Sequence, residues 1–196
     1  MRSLLMFVLL GAALAGGCAT GKESTLKPSM VSREFRDLDD DNPFDRKGSR
    51  VSFLKVGIKK YDAFFQDAAE VKGTVIIADV VLKESDSFIA SIKKDVRKGK
   101  VLTPAQAKRL DRERDRLASL TKLLGDVPGR SGKLLESSEN LAGSAAKTFI
   151  GPDAVKLSAV VEGLRESAAA LKDATAKSPG VLQHAGKTSA ALAGLN

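Results

Sequence analysis

Few side chains in this sequence could take part in catalysis. The single histidine, His184, lies between Gln183 and Ala185 in an alanine-rich stretch. A serine-hydrolase triad would need this imidazole, and the chain lacks the Gly-x-Ser-x-Gly turn that often presents the serine. One histidine and one cysteine also exclude a metal cluster built on either residue type. We therefore expect His184 to be a surface or half-buried residue without a catalytic role.

Carboxylates are more plentiful, and a glycosidase needs only two of them. Asp67 with Glu70, and Glu84 with Asp86, are close enough in sequence to be considered as such pairs. Both pairs fall on the polar faces of predicted helices, and the chain has no Trp for stacking against a sugar. We predict that the protein is not an enzyme and uses no cofactor.

A calcium loop is suggested by the alternation of Asp37, Asp39 and Asp41. The match then fails, because Asn42 stands where the loop needs glycine and Gly48 stands where it needs glutamate. Solubilising carboxylates in a polar segment are the favoured interpretation, so we predict no metal site.

A phosphate-binding loop is faintly suggested by the glycines and the lysine of residues 125–133. Leu134 occupies the position of the required Ser or Thr, and the spacing differs from the motif. Gly125, Pro128 and Gly129 instead predict a turn.

The amino terminus has the pattern of an export signal. Residues 1–3 supply a positive start, and Leu4 to Leu14 form an apolar run that is too short for a permanent transmembrane helix. Small residues follow, and Cys18 comes directly after Gly17.

Leu14 to Cys18 resembles the lipobox of bacterial lipoproteins. The resemblance implies that residues 1–17 are removed, that the Cys18 thiol carries diacylglycerol, and that its new amino group receives a fatty acid such as palmitate. Ala15 departs from the more common leucine, and Ala19, which is not aspartate, implies the outer membrane. The alternative is an ordinary secretory signal that is cut at another small residue.

The net charge of +8 and the pI of about 9.6 describe a basic protein. Within residues 108–116, basic and acidic residues alternate, which is typical of a solvated helix face. Attraction to an anionic lipid or polysaccharide is the alternative. Nucleic acid is not expected as a partner, because no aromatic and basic recognition pattern is present.

The body of the protein is predicted to be helical. Residues 18–50 are polar and are predicted to be a flexible tether. From Val51 to Arg97, apolar residues recur in steps of three and four, with one irregular step beside Gly73. We favour one continuous helix of ~70 Å over two helices that meet at a bend.

Glycine and proline divide the rest of the chain. Thr103 and Pro104 are a helix start signal, Gly151 and Pro152 a break, and Ser178 a second start before Pro179. The expected helices cover residues 103–124, 131–149, about 157–171 and 178–195.

Together these features predict an all-α fold: residues 51–196 form an elongated up-and-down helical bundle with one very long helix. The expected function is a non-catalytic envelope scaffold or binding module with a protein or anionic partner. The alternative is a membrane-active protein resembling α-helical pore-forming toxins, which would insert the apolar segment Val75 to Leu82. The aromatic residues Tyr61, Phe64 and Phe65 could be core or a partner-binding spot.

Overall fold

The structure is a computed structural model that describes residues 21–27 and 51–195. Three long helices pack against one another, and a two-stranded antiparallel sheet, which we call the hairpin, is the only sheet in the described residues, so the predicted all-α bundle is confirmed. The elements are β1 (Lys22–Thr25), β2 (Ser52–Lys55), α1 (Lys59–Arg97), α2 (Pro104–Thr148), a 3-10 helix (Gly151–Lys156) and α3 (Leu157–Ala193).

The helices run up, down and up. The Tyr61 hydroxyl, in the first turn of α1, donates to the carbonyl of Leu141 near the end of α2, 3.1 Å away, so these helices are antiparallel. His184, late in α3, contacts Asp86 in the second half of α1, so α3 runs parallel to α1. We call the end with the start of α1 the hairpin end, because β1 and β2 lie there. The opposite end contains the α1–α2 turn.

Buried residues in α2 and α3 recur at intervals of three and four, which add to a seven-residue period. In α2 the residues on this seam are Leu110, Glu113, Leu117, Leu120, Leu124, Val127, Ser131, Ser138 and Ala145, and Leu123 is buried beside it. In α3 they include Val160, Leu164, Leu171, Ala174, Ser178, Ala185, Thr188 and Leu192. A seven-residue apolar period keeps one seam of each helix facing its neighbours, as in a coiled coil.

Helix α1 is continuous through Gly73, as the sequence predicts, although it begins later than Val51. Gly73 is buried, and the irregular step in the apolar pattern is accommodated without a break in the helix. Most of the apolar segment 75–82 is buried in the bundle, and Ile76, Asp79 and Val80 are partly exposed.

The predicted turn at Gly125 to Gly129 is wrong, because α2 passes through it with Pro128 in its interior. A proline there costs about 3 kcal/mol, since it removes one helical hydrogen bond and its ring crowds the preceding turn. The flanking Leu124 and Val127 are 1% exposed, and burying two such side chains contributes about 1.5–3 kcal/mol each. Core packing therefore outweighs the local signal.

The predicted helix start at Ser178 is also wrong, because α3 continues through Pro179. The proline leaves the carbonyl of Thr175 without its usual amide donor. The Ser178 hydroxyl donates to that carbonyl, 3.1 Å away, and so replaces the missing bond. Residues 51–195 therefore contain three long helices where the sequence predicted one very long helix and four shorter ones.

The pairing of β1 with β2 is a third correction. The helix predicted from Val51 begins only at Lys59, and the tether prediction is wrong for residues 22–25, which form β1. Leu26 extends the pairing by donating its amide to the Val51 carbonyl, 2.8 Å away. Leu26, Val51 and Phe53 are buried against the bundle, and this burial explains why the segment is extended.

Side-chain hydrogen bonds hold the chain where α1 and α2 begin. Asp62 accepts hydrogen bonds from the amides of Val56 (2.7 Å) and Gly57, where the chain turns with a φ of 80°. Thr103 and Gln106 form the capping box expected before Pro104. The bonds of Asp62 hold the turn before α1, and the capping box holds the start of α2.

Candidate functional site

His184 joins two helices. Its Nε2 lies 2.7 Å from Oδ2 of Asp86, and the Thr188 hydroxyl donates to the other carboxylate oxygen at 2.8 Å. Asp86 receives both bonds, so no hydroxyl is oriented by the imidazole for nucleophilic attack. The His184 side chain is 40% exposed, as the sequence predicts. The arrangement stabilises the packing of α1 on α3.

Of the two acidic pairs considered in the sequence, Glu70 and Glu84 pair with arginines of α2, whereas Asp86 bonds His184 and Thr188 of α3. Glu70 is buried and lies 3.3 Å from Nη1 of Arg130, and Glu84 lies 3.5 Å from Nη2 of Arg116. The pKa of Asp67 is raised by burial and by the neighbouring charge of Glu70, while Arg130 opposes the shift. These contacts link α1 to α2 through ion pairs.

Glu113 forms a buried polar layer that the sequence did not predict. It is 5% exposed, although it lies in the charged run that is typical of a solvated face. The Ser85 hydroxyl donates to its Oε2 at 2.7 Å, and Arg116 is 3.7 Å from Oε1. Its burial is indicated in the sequence by its position in the seven-residue period, between Leu110 and Leu117.

The aromatic residues near the start of α1 belong to the core. Tyr61, Phe64 and Phe65 are at most 4% exposed, and the Tyr61 ring lies 4.9 Å from that of Phe149. They are therefore not an exposed partner-binding spot.

In segment 75–82 the apolar residues Ile77, Ala78, Val81 and Leu82 are at most 1% exposed. Asp79 points outward and pairs with Lys83 at 2.6 Å. In the described part of the chain, no helix has the length and apolar character needed to cross a bilayer.

Two predicted sites lie outside the described residues: the lipidation site at Cys18, and the carboxylates Asp37, Asp39 and Asp41. Within residues 21–27 and 51–195, no group of three metal-ligating side chains comes together. The tract 125–133, which faintly suggested a phosphate loop, is helical.

The hairpin end carries apolar surface. Gly21 packs so closely on Leu54 that a Cβ atom there would lie 2.7 Å from its Cδ1. Ile150 follows Phe149, which contacts Tyr61 at the start of α1, so Ile150 is at the same end. Ile150 is 67% exposed, and Val155 in the 3-10 helix is 55% exposed.

The opposite end is strongly basic. We call residues 89–110 the basic tip, which comprises the end of α1, the connecting turn and the start of α2. It contains seven Lys or Arg residues and one acidic residue, so it carries +6 of the chain's net +8. The tip was not predicted from the sequence, because the charge pattern was considered only in the alternating run 108–116 and not in the mainly basic residues just before it.

Four cations of the tip line one shallow, open groove. Lys93, Lys94, Arg97 and Lys98 surround Ala90 on the outer face of α1. None of the four forms an ion pair with a carboxylate of the described residues. The Asp95 carboxylate forms an ion pair with Lys100, 3.1 Å away. The hydrogen bond from Lys100 is the main cause of the lowered pKa of Asp95.

Elsewhere on the helices, exposed cations commonly have a carboxylate three or four residues away. The pairs are Asp79 with Lys83, Asp111 with Arg114, Glu162 with Arg165, and Asp173 with Lys177. Other exposed lysines, such as Lys72 and Lys122, also lack an ion pair within the described residues, but in the groove of the basic tip four such cations lie together. The groove is therefore the strongest candidate for recognition of an anionic partner.

Comparison with known proteins leaves this geometry as the guide to function: no protein-family model, curated protein or solved structure matches the chain.

Proposed function

We propose that the protein is a lipoprotein of the bacterial outer membrane, anchored through lipid on Cys18. Its helical bundle acts as a non-catalytic scaffold that holds a binding surface away from the membrane. The single observation that carries the proposal is the sequence Leu14 to Cys18, just upstream of the packed residue Gly21.

The short distance between Cys18 and Gly21 supports anchoring at the hairpin end. Only Ala19 and Thr20 separate them, so an extended chain spans about 10 Å at ~3.5 Å per residue. The exposed side chains of Ile150 and Val155 at this end would then face the lipid interface. Two or more acyl chains on Cys18 provide stable attachment, because each buried methylene contributes ~0.8 kcal/mol.

The length of the bundle supports the scaffold role. Helix α1 has 39 residues and therefore spans about 58 Å. The basic tip would stand at roughly that height above the anchored membrane. The ionisable residues inside the bundle, such as Glu70 and Glu113, are bonded to neighbouring helices, which supports a structural role for them.

Metabolic labelling with palmitate tests the anchor. Cys18→Ala should abolish labelling and release the protein from membranes, whereas Thr20→Ala, two residues further on, should behave as wild type. Separation of inner and outer membranes by density should place the labelled protein in the outer fraction. Labelling that persists in Cys18→Ala would contradict the proposal.

Burial of segment 75–82 favours the scaffold over the pore-forming alternative, which needs that segment to enter lipid. Ile77 is 1% exposed, so a charge there would disrupt the bundle itself. Ile76 is only partly buried and is the better position for a test. We expect no dye release from liposomes by wild type or by Ile76→Asp. Release that Ile76→Asp abolishes while the bundle stays folded would favour the pore.

A further inference from the structure

We propose that the basic tip docks on the surface of an anionic lipid bilayer. Docking needs only residues 89–110. A bridge between two membranes, with the hairpin end anchored in one and the tip bound to the other, rests in addition on the proposed function.

The arrangement of charge is the first reason. Lys93 and Arg97, and Lys94 and the C-cap residue Lys98, are four residues apart, so each pair places like charges about one helical turn apart at the end of α1. Such pairs destabilise a helix unless an anion lies between them. Asp95 interacts electrostatically with Lys98 but forms its ion pair with Lys100, and no ion pair of the described residues reaches the four cations of the groove, so an external anion would relieve the remaining repulsion. A row of lipid headgroups is such a source of negative charge.

Helix stability alone does not account for the four cations. Positive side chains in the last turn of a helix interact favourably with its dipole, and the effect is confined to that turn. Helix α1 ends at Arg97, so Lys93 lies before the last turn and Lys98 after the helix. The basic surface therefore extends beyond the region that the dipole favours.

Exposed apolar residues favour a bilayer over a soluble polyanion. Val101 is 90% exposed in the turn between α1 and α2, and Val96 is 49% exposed on the last turn of α1. Lys98 and Lys100 flank the turn, where Gly99 has a φ of 73°. Basic residues that attract the headgroups and apolar residues that enter the acyl boundary are the combination found at interfacial binding surfaces. A soluble polyanion would leave both valines in water.

Vesicle tethering tests the proposal with the full-length, lipidated protein. The protein is reconstituted into phosphatidylcholine vesicles, which are mixed with dye-labelled vesicles of phosphatidylcholine alone or with phosphatidylglycerol. We expect capture of the phosphatidylglycerol vesicles only, weakening as salt is raised. Each basic residue strengthens binding to an anionic surface about fivefold, so replacing Lys93, Lys94, Arg97 and Lys98 by Gln should weaken capture on the order of 100-fold or more.

A matched variant controls for net charge. Lys72, Lys122, Lys133 and Lys172 are exposed on the sides of the bundle and away from the tip. Replacing these four by Gln removes the same charge and should weaken capture by less than about tenfold. Equal weakening by both variants, at unchanged circular dichroism, would show attraction to the whole protein and overturn the proposal.

Failure of the anchor can be told apart from failure of the tip. Flotation with phosphatidylcholine vesicles reports the anchor alone. If the protein does not float, the proposed function fails, and sedimentation with phosphatidylglycerol vesicles still compares wild type with the two variants.

Val101→Ser separates lipid from soluble polyanion. It should weaken binding to phosphatidylglycerol vesicles severalfold and leave binding to heparin unchanged. Heparin binding that depends on the tip, without any binding to the vesicles, would overturn the membrane assignment.

Discussion

Two buried serines on the helical seam differ in the hydrogen bonding of their hydroxyl groups. The hydroxyl of Ser131, in α2, has no hydrogen-bond partner in the described residues, and its side chain is 1% exposed. Ser178, in α3, compensates for Pro179 through its bond to Thr175. An unpartnered buried hydroxyl costs about 1–3 kcal/mol, whereas a bonded one contributes about 1 kcal/mol.

We therefore expect Ser131→Ala and Ser178→Ala to change stability in opposite directions. Ser131→Ala should raise the free energy of unfolding by about 1 kcal/mol, and Ser178→Ala should lower it by about 1 kcal/mol. Urea denaturation followed by circular dichroism measures both. A loss of stability in Ser131→Ala would mean that its hydroxyl is satisfied in solution.

Asp67 should make stability depend on pH. Its raised pKa means that the folded state favours the protonated carboxyl, so its contribution is complete below the ordinary value of 3.8 and is lost as pH rises through the raised pKa. Asp67→Asn should therefore increase the melting temperature near neutral pH, and the increase should vanish below pH 3.8.

Asp173→Asn is the control for this pH dependence. Asp173 pairs with Lys177 at 2.7 Å on the surface, so its removal should cost a few tenths of a kcal/mol at neutral pH. Equal shifts in both variants would show that burial of Asp67 has no effect on stability.

At the scale of elements, the sequence predicted the helices and misplaced their boundaries. The end of α1 near Gly99 and the start of α2 at Thr103 were correct, because both depend on local backbone chemistry. The breaks predicted at Pro128 and Pro179 were wrong, because the seven-residue seam continues through both prolines and packing energy decides. A proline is a strong signal only where no core face continues past it.

The hairpin and the recognition surface were harder to predict for a different reason. Strand β2 pairs with β1 across a segment of more than twenty residues, so neither strand has a local turn signal. The basic tip is contributed by two helices and the turn between them. Glu113 resembles a surface residue until its place in the seam is known. Each of these features depends on contacts between distant residues.

At Gly163, the close packing of hairpin and helices should outweigh the helix propensity that otherwise favours alanine over glycine. A Cβ atom there would lie 2.7 Å from Cδ2 of Leu54 and 3.2 Å from the ring of Phe65. Gly→Ala in an open helical position stabilises by about 1 kcal/mol. Gly186 is such a position, because a Cβ atom added there would have no neighbour within 4 Å.

We expect Gly186→Ala to raise the free energy of unfolding by about 1 kcal/mol and Gly163→Ala to lower it or leave it unchanged. Thermal unfolding of the two variants gives the comparison directly. If Gly163→Ala stabilises as much as Gly186→Ala, the hairpin does not pack on α3 as described.

At the scale of the whole molecule, the bundle separates two kinds of surface. Ile150 and Val155 are exposed at the hairpin end, whereas the basic tip combines the exposed Val96 and Val101 with six of the eight net positive charges. The middle of the bundle contributes paired charges such as Asp79 with Lys83 and Asp173 with Lys177. A rod of this kind keeps its two ends apart only if all three helices remain continuous, and Gly73, Pro128 and Pro179 are where they could bend.

The distance between the ends tests that continuity. Cys18 is the only cysteine, so a Cys18→Ser background allows spin labels at Lys60 and Val101, both solvent-accessible. Straight helices put these residues about 60 Å apart, at ~1.5 Å per residue along α1. Labels at Val101 and Ala193, which share the tip end, should lie much closer and serve as the control. Pulsed electron paramagnetic resonance should give a single narrow distance distribution centred at about 60 Å for the first pair, because a heptad-packed core resists bending. A broad distribution, or a main distance below about 45 Å, would mean that the bundle folds back on itself, and the tip could not then be held away from the anchored end.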